Sequence, residues 1–148
     1  MTTPAKAARI DDLMQKAQLA LKSGKWFEAE RLALRALEVA HQAGDFGRMS
    51  RIILPLQESR RQRMQLAAEV KSVKWIEGEI GEDHRVGLGL HMMQPPLVGA
   101  DARRIRLTAL RREVPALVIC REPTTQLGLV PIVAIQYEFI GVAHRRLQ

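Results

Sequence analysis

The residues best placed for chemistry lie in "QPPLVGADARR", Gln94 to Arg104. Two prolines stiffen the approach, Gly99 precedes a helix start, and Arg103 and Arg104 fall in the first helical turn. Backbone amides and guanidinium groups so arranged can hold a phosphate or carboxylate, which makes Gly99, Arg103 and Arg104 the candidate anion site. Asp101 competes for the same amides as a natural N-cap. The stretch also lacks the several glycines and the lysine of nucleotide-binding loops. The plainer reading is a capped helix after a rigid turn.

Cys120 ends an apolar run and is followed by "REPTTQLG". A nucleophilic thiol needs a base, for which His91 and His144 are the candidates, and a phosphatase-like loop wants an arginine where Gln126 stands. A buried, inert thiol is the simpler expectation. His41, His84, His91 and His144 show no metal-ligand spacing, and one cysteine assembles no zinc pattern. No metal, no cofactor and no catalytic residue is expected. The basic clusters are "ESRRQRMQ", Glu58 to Gln65, and the terminal "HRRLQ". On a helix Arg60 and Arg63 project near one face while Arg61 points elsewhere, which makes a broad positive surface.

These side chains must be positioned by a chain of 148 residues, about one domain's length, with 47% hydrophobic but only 4% aromatic residues. Its core must therefore be built from Ala, Leu, Ile and Val, which favours close helix packing over a large aromatic pocket. The net charge is +7; residues 1–72 hold 13 Lys/Arg against 8 Asp/Glu, and residues 73–148 hold 10 against 8. The basic excess sits in the first half, where it suits an acidic partner or nucleic acid but names neither. A lone cysteine, the lack of a signal-like start and the shortness of the apolar runs point to a cytoplasmic protein without a membrane span.

Helical periodicity governs the first half. Ile10, Leu13, Met14, Ala17, Ala20 and Leu21 line one face, and Gly24 ends that helix. A second runs from about Trp26 to His41 with Trp26, Ala29, Leu32, Ala33, Ala36, Leu37 and Ala40 inside and Glu28, Glu30, Arg31, Arg35 and Glu38 outside. Gly44 ends it and Asp45 caps a third, from Phe46 to about Glu69. Pro55 lies inside the third helix, where a kink or a break into two shorter helices is expected. Residues 1–9 read as a flexible lead.

"SGKWFEAERLALRALEVAHQAGD", Ser23 to Asp45, with Gly24 at the turn, Ala29 opening the second helix and "ALEVA" closing it, resembles a tetratricopeptide repeat. Ala20 and His41 depart from that pattern. The resemblance covers residues 10–70, about one and a half repeats, whereas a free-standing array needs about three. It implies a groove lined by the first helix, from Leu13 to Ala20, and by the exposed side of the third, giving Arg48, Arg51, Arg60 and Arg63 as partner-binding residues.

From residue 73 to residue 148 the character changes to a small α/β region. "KWIEGEI", "RVGLGLHMM", "ALVICRE" and "PIVAIQYEF" read as strands, and Ala102 to Arg112, capped by Asp101 and stopped by Pro115, as a helix. Strand, helix and strand form a βαβ unit, and the apolar runs suit a sheet covered on both faces. The fold class expected is α+β or α/β: a helical hairpin plus third helix, packed with a sheet of three or four strands. The last strand is either interior to the sheet or covered by another element, a partner or a second copy, so a homo-oligomer is anticipated. The leading functional expectation is a non-catalytic interaction or scaffold protein for another protein or an acidic peptide. The alternatives are a nucleic-acid-binding accessory protein and a small anion- or nucleotide-binding domain at residues 94–104.

Overall fold

The structure, a computed structural model, describes residues 2–135. The chain divides into two compact units whose boundary falls between Gln62 and Arg63, within the third helix.

The first unit is helical. α1 spans Pro4–Lys22, α2 Trp26–Gln42 and α3 Phe46–Glu69. α1 begins six residues earlier than periodicity indicates, so helix replaces the flexible lead expected up to residue 9. Thr3 is the N-cap, its hydroxyl accepting the Lys6 N–H at 3.4 Å, and Pro4 opens the first turn, where a missing N–H costs nothing. α1 and α2 end in the same way. At Gly24 (φ +72°) Lys25 N–H donates to Ala20 O at 2.9 Å, and at Gly44 (φ +66°) Asp45 N–H donates to Ala40 O at 2.9 Å. Left-handed glycines close both helices by satisfying their last carbonyls. Asp45 then caps α3, its Oδ1 accepting the Arg48 N–H at 3.0 Å.

Between these helices lies a small-residue core of Ala17, Ala33, Ala36 and Ala40, all fully buried, with Ile10, Leu13, Leu37, Ile52 and Leu56 around them. Alanine at the crossing lets backbones approach closely, as the composition anticipates. α3 is one continuous helix despite Pro55; it does not break in two. Phe46 and Ile53 of α3 are exposed, and Glu30, expected on the outside of α2, is buried.

The second unit holds β1 (Val73–Ile76), β2 (Gly89–Met93), α4 (Gly99–Arg111), β3 (Ala116–Arg121) and β4 (Ile132–Ala134). The sheet order is β1-β2-β3-β4, the first two pairings parallel and the third antiparallel. Register aligns Ile76 with Met93 and Met93 with Cys120, so these side chains share the face on which Ile105, Ala102 and Ala109 of α4 complete the core. The α+β architecture and the β2-α4-β3 unit are as expected.

Element bounds differ for local reasons. β1 stops at Ile76 because Gly78 turns the chain at φ +79°, and pairing in β2 begins only at Gly89 (φ +126°), whose N–H donates to Pro115 O. α4 starts at Gly99, not Ala102, because Val98 is the N-cap and Asp101 works from the third helical position, accepting the Val98 N–H at 3.0 Å. β4 pairs only with β3 among the described residues, and its side chains are exposed rather than covered. The part of its expected span beyond Ile135 lies outside the described residues.

Candidate functional site

A cleft of about 360 Å³ opens between α1 and α3, lined by Asp11, Met14, Gln15 and Gln18 on one side and Arg48, Arg51, Leu54 and Pro55 on the other. Arg48 serves as a clamp within it. Its Nε and Nη2 each lie 2.9 Å from an Asp11 carboxylate oxygen, and its Nη1 lies 2.9 Å from Asp45 Oδ2. The same Asp45 oxygen accepts the Thr2 hydroxyl at 3.0 Å. Hydrogen bonds from Arg48 hold both carboxyls below the usual range, and the two carboxylates in turn raise the guanidinium. The charge of Arg48 is thus spent on joining α1 to α3.

Arg51 is exposed on the cleft wall, and its charge adds to the lowering at Asp11. Arg60 and Arg63 do not line the cleft. Arg60 Nε bonds Glu30 Oε1 at 2.9 Å, a pair largely removed from solvent, and Arg63 is 2% exposed. Leu13, Ala17 and Ala20, implied as lining, belong to the core instead. Of the four candidate arginines, then, Arg48 and Arg51 come together. Met14, Gln15 and Gln18, within the implied Leu13–Ala20 stretch, do line the cleft, whereas Asp11, Leu54 and Pro55 were not singled out as lining from the sequence; Asp11 lies three and four residues before Met14 and Gln15, which is the signal that finds it.

The anion candidates at residues 94–104 separate. Gly99 sits in the first turn of α4, Arg103 is exposed, and Arg104 turns toward the β1–β2 connection, its Nη2 donating to Ile80 O at 3.0 Å. There it lines a pocket of about 250 Å³ with Ile80, Gly81, Glu82, His84, Ile105, Thr108 and Arg111. Neither Gly99 nor Arg103 reaches it.

Against protein-family models, curated proteins and solved structures, the chain has no match.

Cys120 is buried, and burial pushes its thiol up, away from the reactive thiolate. His91 is committed elsewhere, its Nε2 lying 2.7 Å from Gly87 O, and burial lowers its affinity for a proton. His144 lies outside the described residues. Among the described residues no three His, Cys, Asp or Glu side chains group as metal ligands, and no helix is long and apolar enough to cross a membrane. A third cavity, about 440 Å³ and mainly apolar, lies beside β3, lined by Leu90, Leu117, Ile119 and Ala134 with Met64 and Arg106.

Proposed function

We propose that this chain is a non-catalytic protein-interaction module that receives an acidic peptide segment in the α1–α3 cleft. One observation carries the reading: the cleft lies between the two helices that a tetratricopeptide-like arrangement turns toward a ligand. Its walls combine donors with apolar surface. Arg51 supplies a cation, Gln15 and Gln18 supply amides, and Leu54, 68% exposed, offers a hydrophobic seat beside Met14. A short extended peptide carrying one carboxylate and one apolar side chain suits that mixture. A buried lone cysteine fits a reducing, cytoplasmic setting.

The test is affinity purification with wild-type protein and with Arg51→Glu and Leu54→Asp, each checked for unchanged circular dichroism. A partner retained by wild type and lost by both variants is expected. Recovery of the same proteins by all three would overturn the reading. Nucleic-acid binding through the helical half is the weaker alternative, because Arg48, Arg60 and Arg61 already meet carboxylates at 2.9, 2.9 and 2.7 Å. Binding to random-sequence RNA or DNA that falls steeply with added salt would restore it.

A further inference from the structure

We propose that the pocket between the Gly81–His84 turn and α4 binds a small phosphate monoester, with Arg104 and Arg111 as its anion ligands. Arg104, Thr108 and Arg111 are four and then three residues apart, so they form one stripe along α4. That stripe faces the turn closed by the His84 N–H bond to Gly81 O at 3.2 Å.

Both guanidiniums are held in place by neutral acceptors. Arg104 Nη2 donates to Ile80 O at 3.0 Å, and Arg111 Nη2 donates to the Thr108 hydroxyl at 3.3 Å. That hydroxyl is itself fixed by donating to Arg104 O at 3.0 Å. A guanidinium has five N–H donors, and these contacts use one from each, which leaves oriented donors for an anion. Arg48, Arg60 and Arg61, by contrast, each meet a carboxylate oxygen within hydrogen-bond distance. The Asp101 carboxylate stands 3.7 Å from Arg104, while its other oxygen accepts the Val98 N–H. Glu82 is the one carboxylate among the lining residues, so the two arginines outweigh it.

Size selects the ligand class. At about 250 Å³ the pocket falls below the roughly 300–1,000 Å³ of drug-sized sites, too small for a dinucleotide. Ile80 and Ile105 give an apolar wall for a short carbon skeleton, and this distinguishes an ester from free phosphate.

Calorimetric titration of the full chain at low salt with glucose 6-phosphate, inorganic phosphate and glucose tests the assignment. Saturable one-to-one binding of the sugar phosphate is expected, weaker binding of inorganic phosphate, and none of glucose. Arg104→Ala and Arg111→Gln should each weaken binding about tenfold or more, Arg103→Ala should leave it unchanged, and Glu82→Gln should tighten it. The tightening guards against misfolding, which only lowers affinity. No saturable heat with either phosphate compound, equal affinity for both, or equal loss in Arg103→Ala would overturn the proposal.

Discussion

Glu30 and Arg60, thirty positions apart, meet at 2.9 Å between α2 and α3, with side chains 7% and 17% exposed. Removing one member of such a pair takes a counterion from a largely buried charge, which is more costly than losing the contact itself. Glu30→Ala should therefore destabilise the protein by about 3 kcal/mol, whereas Glu30→Met with Arg60→Met should recover most of the loss. Urea denaturation of the three variants checks this. A Glu30→Ala midpoint equal to wild type would show that the pair contributes nothing.

Acid should loosen the α1–α3 junction. Asp11 and Asp45 are held by Arg48 below their ordinary value of 3.8. A carboxylate lowered by folding contributes stability that is fully present above its unfolded value and is lost as pH falls through the folded one. The wild-type urea midpoint should hold from pH 7 to about pH 5 and fall progressively below about pH 4. Arg48→Ala should lower the midpoint at neutral pH and flatten that acid dependence. Parallel pH profiles for wild type and variant would contradict the clamp.

Gly89 combines a left-handed backbone with a close neighbour. Its φ is +126°, and an added Cβ would sit 3.1 Å from Val70 Cγ1. Gly89→Ala should cost roughly 2 kcal/mol through strain and crowding together. Gly47, in the first turn of α3, makes the opposite case: an added Cβ would meet Asp45 Oδ1 at 3.8 Å, ordinary van der Waals contact. Gly47→Ala should stabilise by a few tenths of a kcal/mol, up to about 1. Thermal unfolding of both variants should give shifts of opposite sign.

Leu127, Leu129 and Ile132 are 85%, 63% and 59% exposed around β4. An apolar edge of this kind favours pairing with a second copy. Size-exclusion chromatography with light scattering at micromolar concentration should give a mass above the monomer's 16.7 kDa, returning toward it in Leu129→Lys with Ile132→Lys. A monodisperse monomer across a tenfold dilution would refute self-association.

Helix ends and helix faces were legible in the sequence because their causes lie within one turn. Gly24 and Gly44 supply the left-handed closures, Asp45 caps α3, and alanines three and four apart mark the crossing of α1 and α2. Thr3-Pro4 carried an equally local signal for the true start of α1, masked because the alanines, lysine and arginine of residues 5–9 include no large apolar side chain to mark a buried face.

What only the tertiary structure decided are the partners of groups far apart in the chain. Charge patterning put Glu30 on the outer face of α2 and Arg60 in a solvated cluster, because nothing near either residue announces the other. Likewise Arg48 reaches back 37 positions to Asp11, and Arg104 reaches back 24 positions to the Ile80 carbonyl, leaving Gly99 and Arg103 behind. β3 and β4 pair antiparallel, a topology that their sequences do not announce. Local sequence determines where a helix begins and which face is apolar, since those follow from backbone hydrogen bonds and side-chain spacing. Which charges neutralise each other and which stay poised for a ligand depends on distances that exist only after packing, because an ion pair acts over a few ångströms whatever its separation along the chain.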